Sequence, residues 1–138
     1  MISLHCPLTP ENHYLINTET IAQMKPGVML INTSRGGLLD TKAVITGLKT
    51  AKIGYLGIDV YEQEAALFAE DLSNTVIQDD NFQLLKSFSN VVITAHQAFF
   101  TRNALQAIAE TTLTNIIDFE QGQVSTNQVK ALERVGIH

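Results

Sequence analysis

The sequence lacks several features that define other classes of protein. Its single cysteine, Cys6, cannot form an internal disulfide, which fits a protein of the reducing cytoplasm. No apolar run is long enough to span a bilayer, and the N-terminus does not resemble a secretory signal. The 9 Lys and Arg are outnumbered by 14 Asp and Glu, giving a formal net charge of −5. Because the basic residues are few and scattered, we expect neither nucleic acid nor a membrane as a partner.

A glycine-rich turn is also missing. Folds that bind dinucleotides place the sequence G-x-G-x-x-G where the first strand meets its helix, so that backbone amides approach the pyrophosphate. Gly36-Gly37 and Gly54 with Gly57 do not have this spacing, and no acidic residue is placed to hold an adenosine ribose. Because the first predicted strand begins almost at residue 1, we expect the sequence to be the second half of a longer domain.

Four short apolar runs are present, at residues 2–4, 28–31, 55–58 and 91–95, and each one ends in a polar cluster. Short apolar runs separated by helical stretches are typical of buried parallel strands. The alternation predicts an α/β fold, a parallel sheet with flanking helices. Since ligands of such sheets gather outside the carboxyl ends of the strands, we expect the four polar clusters to meet at one edge.

The helices are predicted from their capping residues. Helices are expected to begin after Thr9, after Asn17 or Thr18, after Asp40 and after Thr101. Apolar residues at spacings of three to five predict a long helix over 101–121, which Gly122 ends. We predict one domain over 1–122 and a tail of low order over 123–138. Residues 62–81 are acidic and irregular, and a connection of this length is typical of functional or interfacial segments.

Chemistry is expected from polar residues that follow the strands. The Arg35 guanidinium matches a carboxylate ligand, although Arg35 could equally pair with Asp40 or Asp59 as a structural residue. His96 could serve as a proton donor or as a hydrogen-bonded structural residue. The carboxylate of Glu64 favours the first reading, because a neighbouring negative charge stabilises an imidazolium.

Asp59 ends the third predicted strand. It is read either as the cap of a turn or as an acceptor for an amide or hydroxyl of a ligand. No histidine has a partner at a spacing typical of a metal site, and we therefore predict no metal.

Four segments stand out together: HCPLTPE at 5–11, NTSRGG at 32–37, DVYEQE at 59–64 and HQAFFT at 96–101. In this combination they resemble a known family, the D-isomer-specific 2-hydroxyacid dehydrogenases. Four motifs in the same order make the resemblance specific, and it extends from residue 2 to about residue 129. It implies the C-terminal, nicotinamide-side half of a Rossmann-like NAD-binding domain, followed by a long C-terminal helix.

The resemblance also implies roles for individual residues. Arg35 would bind a 2-keto acid and polarise its carbonyl, His96 would protonate the carbonyl oxygen, and Glu64 would keep His96 protonated. The cofactor would be NAD. The positions that correspond to cofactor contacts in the family are Cys6, Pro7, Asn12, Thr33, Ser34, Arg35 and Asp59, with Asp59 near the nicotinamide carboxamide.

Details within the motifs resemble the NAD-dependent D-lactate branch of the family, which interconverts pyruvate and D-lactate. The phosphoglycerate and glycerate branches look like His-Ile-Gly-Gly at the catalytic His and like Glu-Pro at the catalytic Glu. In this sequence, Gln97-Ala98-Phe99 follows His96 and Ala65 follows Glu64. Formate dehydrogenases look as if Gln stands at the position of Glu64. Both differences favour the D-lactate branch, with a small 2-keto or 2-hydroxy acid as the molecule bound.

Other interpretations remain open at this point. The sequence could belong to a dehydrogenase for another D-2-hydroxy acid, to an NAD-sensing binding module of the corepressor type, or to an α/β domain without a retained function. Without the glycine-rich turn, we expect the sequence alone to be inactive. An open sheet edge and uncovered apolar strand surface also predict self-association into a homo-oligomer.

Overall fold

The computed structural model describes residues 1–64, 67 and 77–129. Four strands form one parallel sheet in the order β1-β2-β3-β4. They are β1 (Ile2–Leu4), β2 (Val28–Asn32), β3 (Ile53–Ile58) and β4 (Val91–Ile93). The predicted fold class is confirmed. The third strand begins two residues earlier than predicted and the fourth ends two residues earlier, although the Thr94 amide still donates to the carbonyl of Ile58 over 3.1 Å.

The carboxyl ends of the four strands are level with one another. Leu4 pairs with Asn32, Asn32 with Ile58, and Ile58 with Ile93, so the last residue of every strand lies in one row. The polar segments that follow therefore leave the same edge of the sheet, as the sequence predicted.

The predicted caps begin the observed helices. Asn17 accepts a hydrogen bond from the Thr20 amide at the start of α1 (Thr18–Gln23), and Asp40 accepts from two amides at the start of α2 (Thr41–Lys49). Asp79, which was not predicted as a cap, begins α3 (Asp80–Ser87) by accepting from the Phe82 amide. After Thr9 only a short 3₁₀ helix forms, at Pro10–Asn12.

The core lies on one face of the sheet. Leu30, Ile53 and Leu56 are essentially inaccessible to solvent and pack with Val44 and Leu48 of α2. The side chains that alternate with them behave differently, since Tyr55 is 59% exposed and Val92 is 63% exposed. This exposed face agrees with the uncovered apolar strand surface that was expected from the sequence.

The chain divides into two compact units, Met1–Ala98 and a second unit that begins at Phe99. The second unit contains α4 (Arg102–Glu120), which Thr101 caps through the Ala104 amide. The predicted helix is confirmed. The proposed domain boundary at residue 122 stays a prediction.

The tail was expected to have low order, but its first part folds back along α4. Ser125 donates to Asn115 over 2.9 Å, and the Asn127 side chain donates to the same oxygen over 3.0 Å. Most of the acidic connection and residues 130–138 lie outside the described residues. In the described part of the chain, no helix is long and apolar enough to cross a membrane.

Candidate active site

The loop after β1 is held by side-chain hydrogen bonds. Asn12 donates through Nδ2 to the carbonyl of Pro7 over 2.7 Å and accepts through Oδ1 from the Thr9 amide over 2.8 Å. The carbonyl of Cys6 accepts a 2.5 Å hydrogen bond from the Ser34 hydroxyl of the next loop. Cys6, Pro7, Asn12 and Ser34, which were predicted as cofactor contacts, thus form one connected rim.

The turn after β2 presents Arg35 to solvent. Asn32 is fully buried, donates through Nδ2 to the Arg35 carbonyl over 2.9 Å and accepts through Oδ1 from the Ser34 amide over 3.1 Å. A buried Asn with both ends satisfied fixes the course of the turn. Thr33 and the Arg35 side chain remain exposed on the rim.

Arg35 is not a structural ion-pair partner in the part of the chain that the structure describes. Its Nη1 donates to the carbonyl of Ser34 over 2.7 Å. Asp40, one of the alternative partners, instead caps α2, and the carboxylate of Asp59 accepts from other groups. The guanidinium therefore keeps most of its donors for a ligand.

Gly36 brings the Arg35 turn against the segment after β3. A Cβ placed on Gly36 would overlap the carbonyl group of Tyr61 and the amide nitrogen of Glu62. The φ angle of Gly36 is not positive, so glycine is required here by the close approach of two backbones. This contact sets Arg35 beside the segment that carries Glu64.

The side chains of Glu64 and His96 are in direct contact. The Nδ1 atom of His96 lies 3.2 Å from Oε1 of Glu64, and the two side chains are 49% and 28% exposed. The other carboxylate oxygen of Glu64 accepts from the Tyr61 amide over 3.1 Å. Because Nδ1 faces the carboxylate, the opposite ring nitrogen, Nε2, is the one that can donate to a substrate.

The backbone at His96 is in an unusual conformation. Ala95 and His96 have φ angles of 47° and 57°, in the left-handed region that residues with side chains seldom adopt. Such strain persists only where the surroundings enforce it, and it concentrates at functional sites. The His96 amide is held here by a 2.5 Å hydrogen bond to the carbonyl of Asp59.

Asp59 holds the loop around His96. It is 3% exposed and accepts from the Thr94 hydroxyl over 2.5 Å, the Gln97 amide over 2.7 Å and the Ala98 amide over 3.0 Å. Burial alone would raise the pKa of the Asp59 carboxyl. These hydrogen bonds and the nearby His96 outweigh burial and hold the pKa below its ordinary value.

Replacing Asp59 with Asn should make stability depend less on pH. Since the carboxyl of Asp59 has a lower pKa when folded than when unfolded, its stabilisation is present above about pH 4 and is lost as the pH falls through the folded value. We expect Asp59→Asn to lower the free energy of unfolding by about 2 kcal/mol at pH 7, and by progressively less below about pH 4. Urea unfolding of the intact protein across this pH range measures the difference.

Asp80→Asn is the matched control for this prediction, because Asp80 is exposed in the first turn of α3. Its effect should stay within about 0.5 kcal/mol. A loss at Asp59 that is equally large at pH 7 and at pH 3 would contradict the role of its charge.

Sequence reasoning missed several residues that shape the site. Tyr61 donates through its hydroxyl to Asp79 over 2.8 Å, and Asp79 also accepts from the Phe82 amide over 2.9 Å. Thr94 and Asn32 were passed over as well. A polar residue directly after an apolar run, as Asn32 is, or within one, as Thr94 is, is the signal that could have indicated them, but nothing in the sequence relates Tyr61 to Asp79.

In the structure, Glu64 contacts the ring of His96, and the carbonyl of Asp59 accepts from the His96 amide. Arg35 lies at the same edge of the sheet. Among the described residues, no group of three or more His, Cys, Asp and Glu side chains could hold a metal ion. The site thus combines the exposed guanidinium of Arg35 with an imidazole and a carboxylate in contact. Such a pair can donate a proton to a bound molecule or remove one.

Fold and site together define a class of protein: an α/β domain with a parallel four-stranded sheet, flanking helices and a candidate ligand site at the carboxyl edge of the sheet. Residues 1–98 match the family model described as D-isomer specific 2-hydroxyacid dehydrogenase, NAD binding domain. The chain therefore belongs to the D-isomer-specific 2-hydroxyacid dehydrogenase family, as the four motifs predicted.

Named relatives agree with this assignment. The chain is 57% identical over 129 residues to a 2-hydroxyacid dehydrogenase homolog of Haemophilus influenzae, and 55% identical over 129 residues to the D-lactate dehydrogenase of Escherichia coli. Each alignment covers 94% of this chain and 39% of the relative. The solved pyruvate reductase of Chlamydomonas reinhardtii is 44% identical, with a TM-score of 0.82 over 91% of this chain and 39% of that one. The chain thus spans about two fifths of the length of the proteins it matches.

Proposed function

We propose that the protein containing this chain reduces pyruvate to D-lactate with NADH and catalyses the reverse reaction with NAD. The observation that carries the proposal is the contact of 3.2 Å between His96 Nδ1 and Glu64 Oε1, at the edge where Arg35 is exposed. A proton donor beside a cationic fork is what reduction of a 2-keto acid requires. The names of the relatives support D-lactate as the product.

Each of the three side chains has one role in the proposal. Arg35 binds the carboxylate of the keto acid and polarises its carbonyl, because a guanidinium offers parallel donors at any working pH. His96 donates the proton from Nε2 to the carbonyl oxygen. Glu64 orients the His96 ring through its contact with Nδ1. In the oxidation of D-lactate, His96 takes the proton back.

The residues at the edge fit the nicotinamide end of NAD. Thr33 and Pro7 are exposed there, and Oδ2 of Asp59 accepts from the Ala98 amide while keeping a further lone pair. Pro7, Thr33 and Asp59 would lie along the cofactor, with Cys6, Asn12 and Ser34 fixing the loops. NADH, when bound, supplies the hydride that adds to the carbonyl carbon. The chain contains no glycine-rich turn for the pyrophosphate.

We therefore propose that the 138 residues by themselves do not reduce pyruvate, whereas the intact protein does. An assay of NADH oxidation with pyruvate on both samples tests this, and turnover by the 138 residues alone would contradict it.

The same proposal includes homo-oligomerisation and a cytoplasmic location. Sedimentation of the intact protein tests the first, and cell fractionation tests the second. Another D-2-hydroxy acid as the substrate is the alternative outcome of the assay. NADH binding without turnover of any keto acid would favour a binding module.

Arg35→Lys in the intact protein should raise KM for pyruvate and lower kcat. Lysine keeps the positive charge but cannot make two parallel hydrogen bonds to a carboxylate. A loss of one charge-assisted hydrogen bond corresponds to about 10-fold or more in kcat/KM. Lys42→Arg, an exposed exchange of the same two residue types on α2, is the control. Steady-state kinetics close to those of the wild type in Arg35→Lys would remove Arg35 from the proposed site.

A further inference from the structure

The carboxylate of Glu64 is shared between two partners. Oε1 faces Nδ1 of His96 over 3.2 Å, and Oε2 accepts from the backbone amide of Tyr61 over 3.1 Å. The Glu64 amide in turn donates to the Tyr61 carbonyl over 3.2 Å. The orientation of the Glu64 carboxylate therefore depends on the position of the Tyr61 backbone, because the Tyr61 amide holds one of its two oxygens.

Tyr61 itself is fixed from its side chain. Only 4% of it is exposed, and its hydroxyl donates to Oδ2 of Asp79 over 2.8 Å. Its ring packs against that of Phe82, with centroids 5.3 Å apart and planes tilted by 55°. Burial and the Asp79 carboxylate raise the pKa of Tyr61, so the phenol keeps its proton and remains the donor of this hydrogen bond at any working pH.

Asp79 connects this tyrosine to the element that leads to His96. Its Oδ1 accepts from the Phe82 amide as the cap of α3, while its Oδ2 accepts from Tyr61. The chain runs from α3 through β4 to His96. One carboxylate thus joins the segment that presents Glu64 to the helix that precedes the histidine strand.

We propose that Tyr61 is a positioning residue: its hydroxyl, held by Asp79, fixes the backbone amide that aims Glu64 at His96. The inference rests on the proposed function, because it gives a supporting residue to the acid–base pair of that reaction. Tyr61 itself does not touch the substrate. Its removal should therefore slow the proton transfer without weakening the binding of either ligand.

Tyr61→Phe in the intact protein is the first test. The ring and its packing on Phe82 are kept, and the hydroxyl's hydrogen bonds with Asp79 and Thr41 are lost. We expect kcat for pyruvate reduction to fall about 10-fold, since small misplacements of a catalytic group have effects of this order, while KM for pyruvate and NADH stays within about twofold. Tyr55→Phe is the matched control, because Tyr55 is 59% exposed on the other face of the sheet and should leave kcat unchanged. An unchanged kcat in Tyr61→Phe would overturn the proposal.

A double-variant cycle separates positioning from a general structural effect. If Tyr61 acts through Glu64, then Tyr61→Phe should have no further effect on kcat in a Glu64→Gln background. A tenfold loss in both backgrounds would show that Tyr61 acts by another route and would contradict the inference. If Tyr61→Phe does not fold, Asp79→Asn replaces it in the cycle, because Asn keeps an oxygen to cap α3 and removes the carboxylate that accepts from Tyr61.

A crystal structure of the Tyr61→Phe protein distinguishes failure of the inference from failure of the proposed function. If wild type and Glu64→Gln have the same activity, or neither reduces a keto acid, the proposed function fails whatever Tyr61 does. The distance between Glu64 and His96 in that structure then decides only whether Tyr61 is a positioning residue. Separation of Glu64 Oε1 and His96 Nδ1 beyond about 4 Å supports positioning. A contact that stays at 3.2 Å refutes it.

Discussion

His96→Asn is expected to lower kcat for pyruvate reduction by about 10² to 10⁴-fold, the range that a positioned proton donor contributes. Asparagine cannot give up a proton near neutral pH, so the carbonyl oxygen would have to be protonated by water. Asn is chosen because it tolerates the left-handed backbone that His96 adopts, with φ of 57°, and should leave the loop intact. Steady-state kinetics and NADH titration of the intact protein measure the two effects separately, and NADH affinity should not change.

His5→Asn is the control for this experiment. His5 is exposed and its ring shares a 2.8 Å hydrogen bond with Ser3, away from Glu64 in the hydrogen-bond network. Its replacement should leave kcat within about twofold of the wild type, since an exposed pair of this kind contributes little. If His96→Asn and His5→Asn gave the same kcat, proton donation by His96 would be ruled out.

Gly36→Ala is expected to destabilise the fold by about 3 kcal/mol or more, a large effect for one methyl group. The new Cβ would overlap the carbonyl of Tyr61 and the amide of Glu62, and backbone atoms cannot rotate away as a side chain can. The two loops must separate, which also moves Glu64 relative to Arg35. Urea unfolding of the intact protein should show the loss, and residual folded protein should have reduced kcat.

Gly57→Ala provides the comparison for Gly36→Ala. The nearest atom to a Cβ at Gly57 is Cγ1 of Ile31 at 3.8 Å, an ordinary van der Waals distance. Both glycines lie in the same unit and both changes add one methyl group, so the difference in unfolding free energy reports the backbone clash. Equal stabilities of the two variants would mean that the Gly36 turn can move aside.

The strands and helices of the first unit were predictable because local signals agreed with one another. Residues 2–4 and 28–31 were apolar runs that ended in polar residues, and they became β1 and most of β2. Asp40 and Thr101 were read as caps and do cap α2 and α4. Such signals act within a few residues along the chain, so they can be read without knowledge of the tertiary structure.

Which face of the sheet is exposed could not be predicted in this way. Tyr55 and Val92 belong to apolar runs with the composition of doubly buried strands, and periodicity alone does not say which face is covered. Whether a face is buried depends on the helices that pack on it, and those contacts join residues that are distant in sequence.

The sequence by itself determined the parallel α/β fold, the family and the edge at which Arg35, Asp59, Glu64 and His96 collect. These follow from hydrophobic periodicity and motif order, which are properties of the chain alone. The tertiary structure alone decided that the carboxylate of Asp59 holds the His96 loop, that Gly36 packs on the Tyr61 backbone, and that Tyr61 is held by Asp79. The residues that make these contacts are 18 to 38 positions apart in the sequence. They depend on atomic distances that only the packing of the strands and loops establishes.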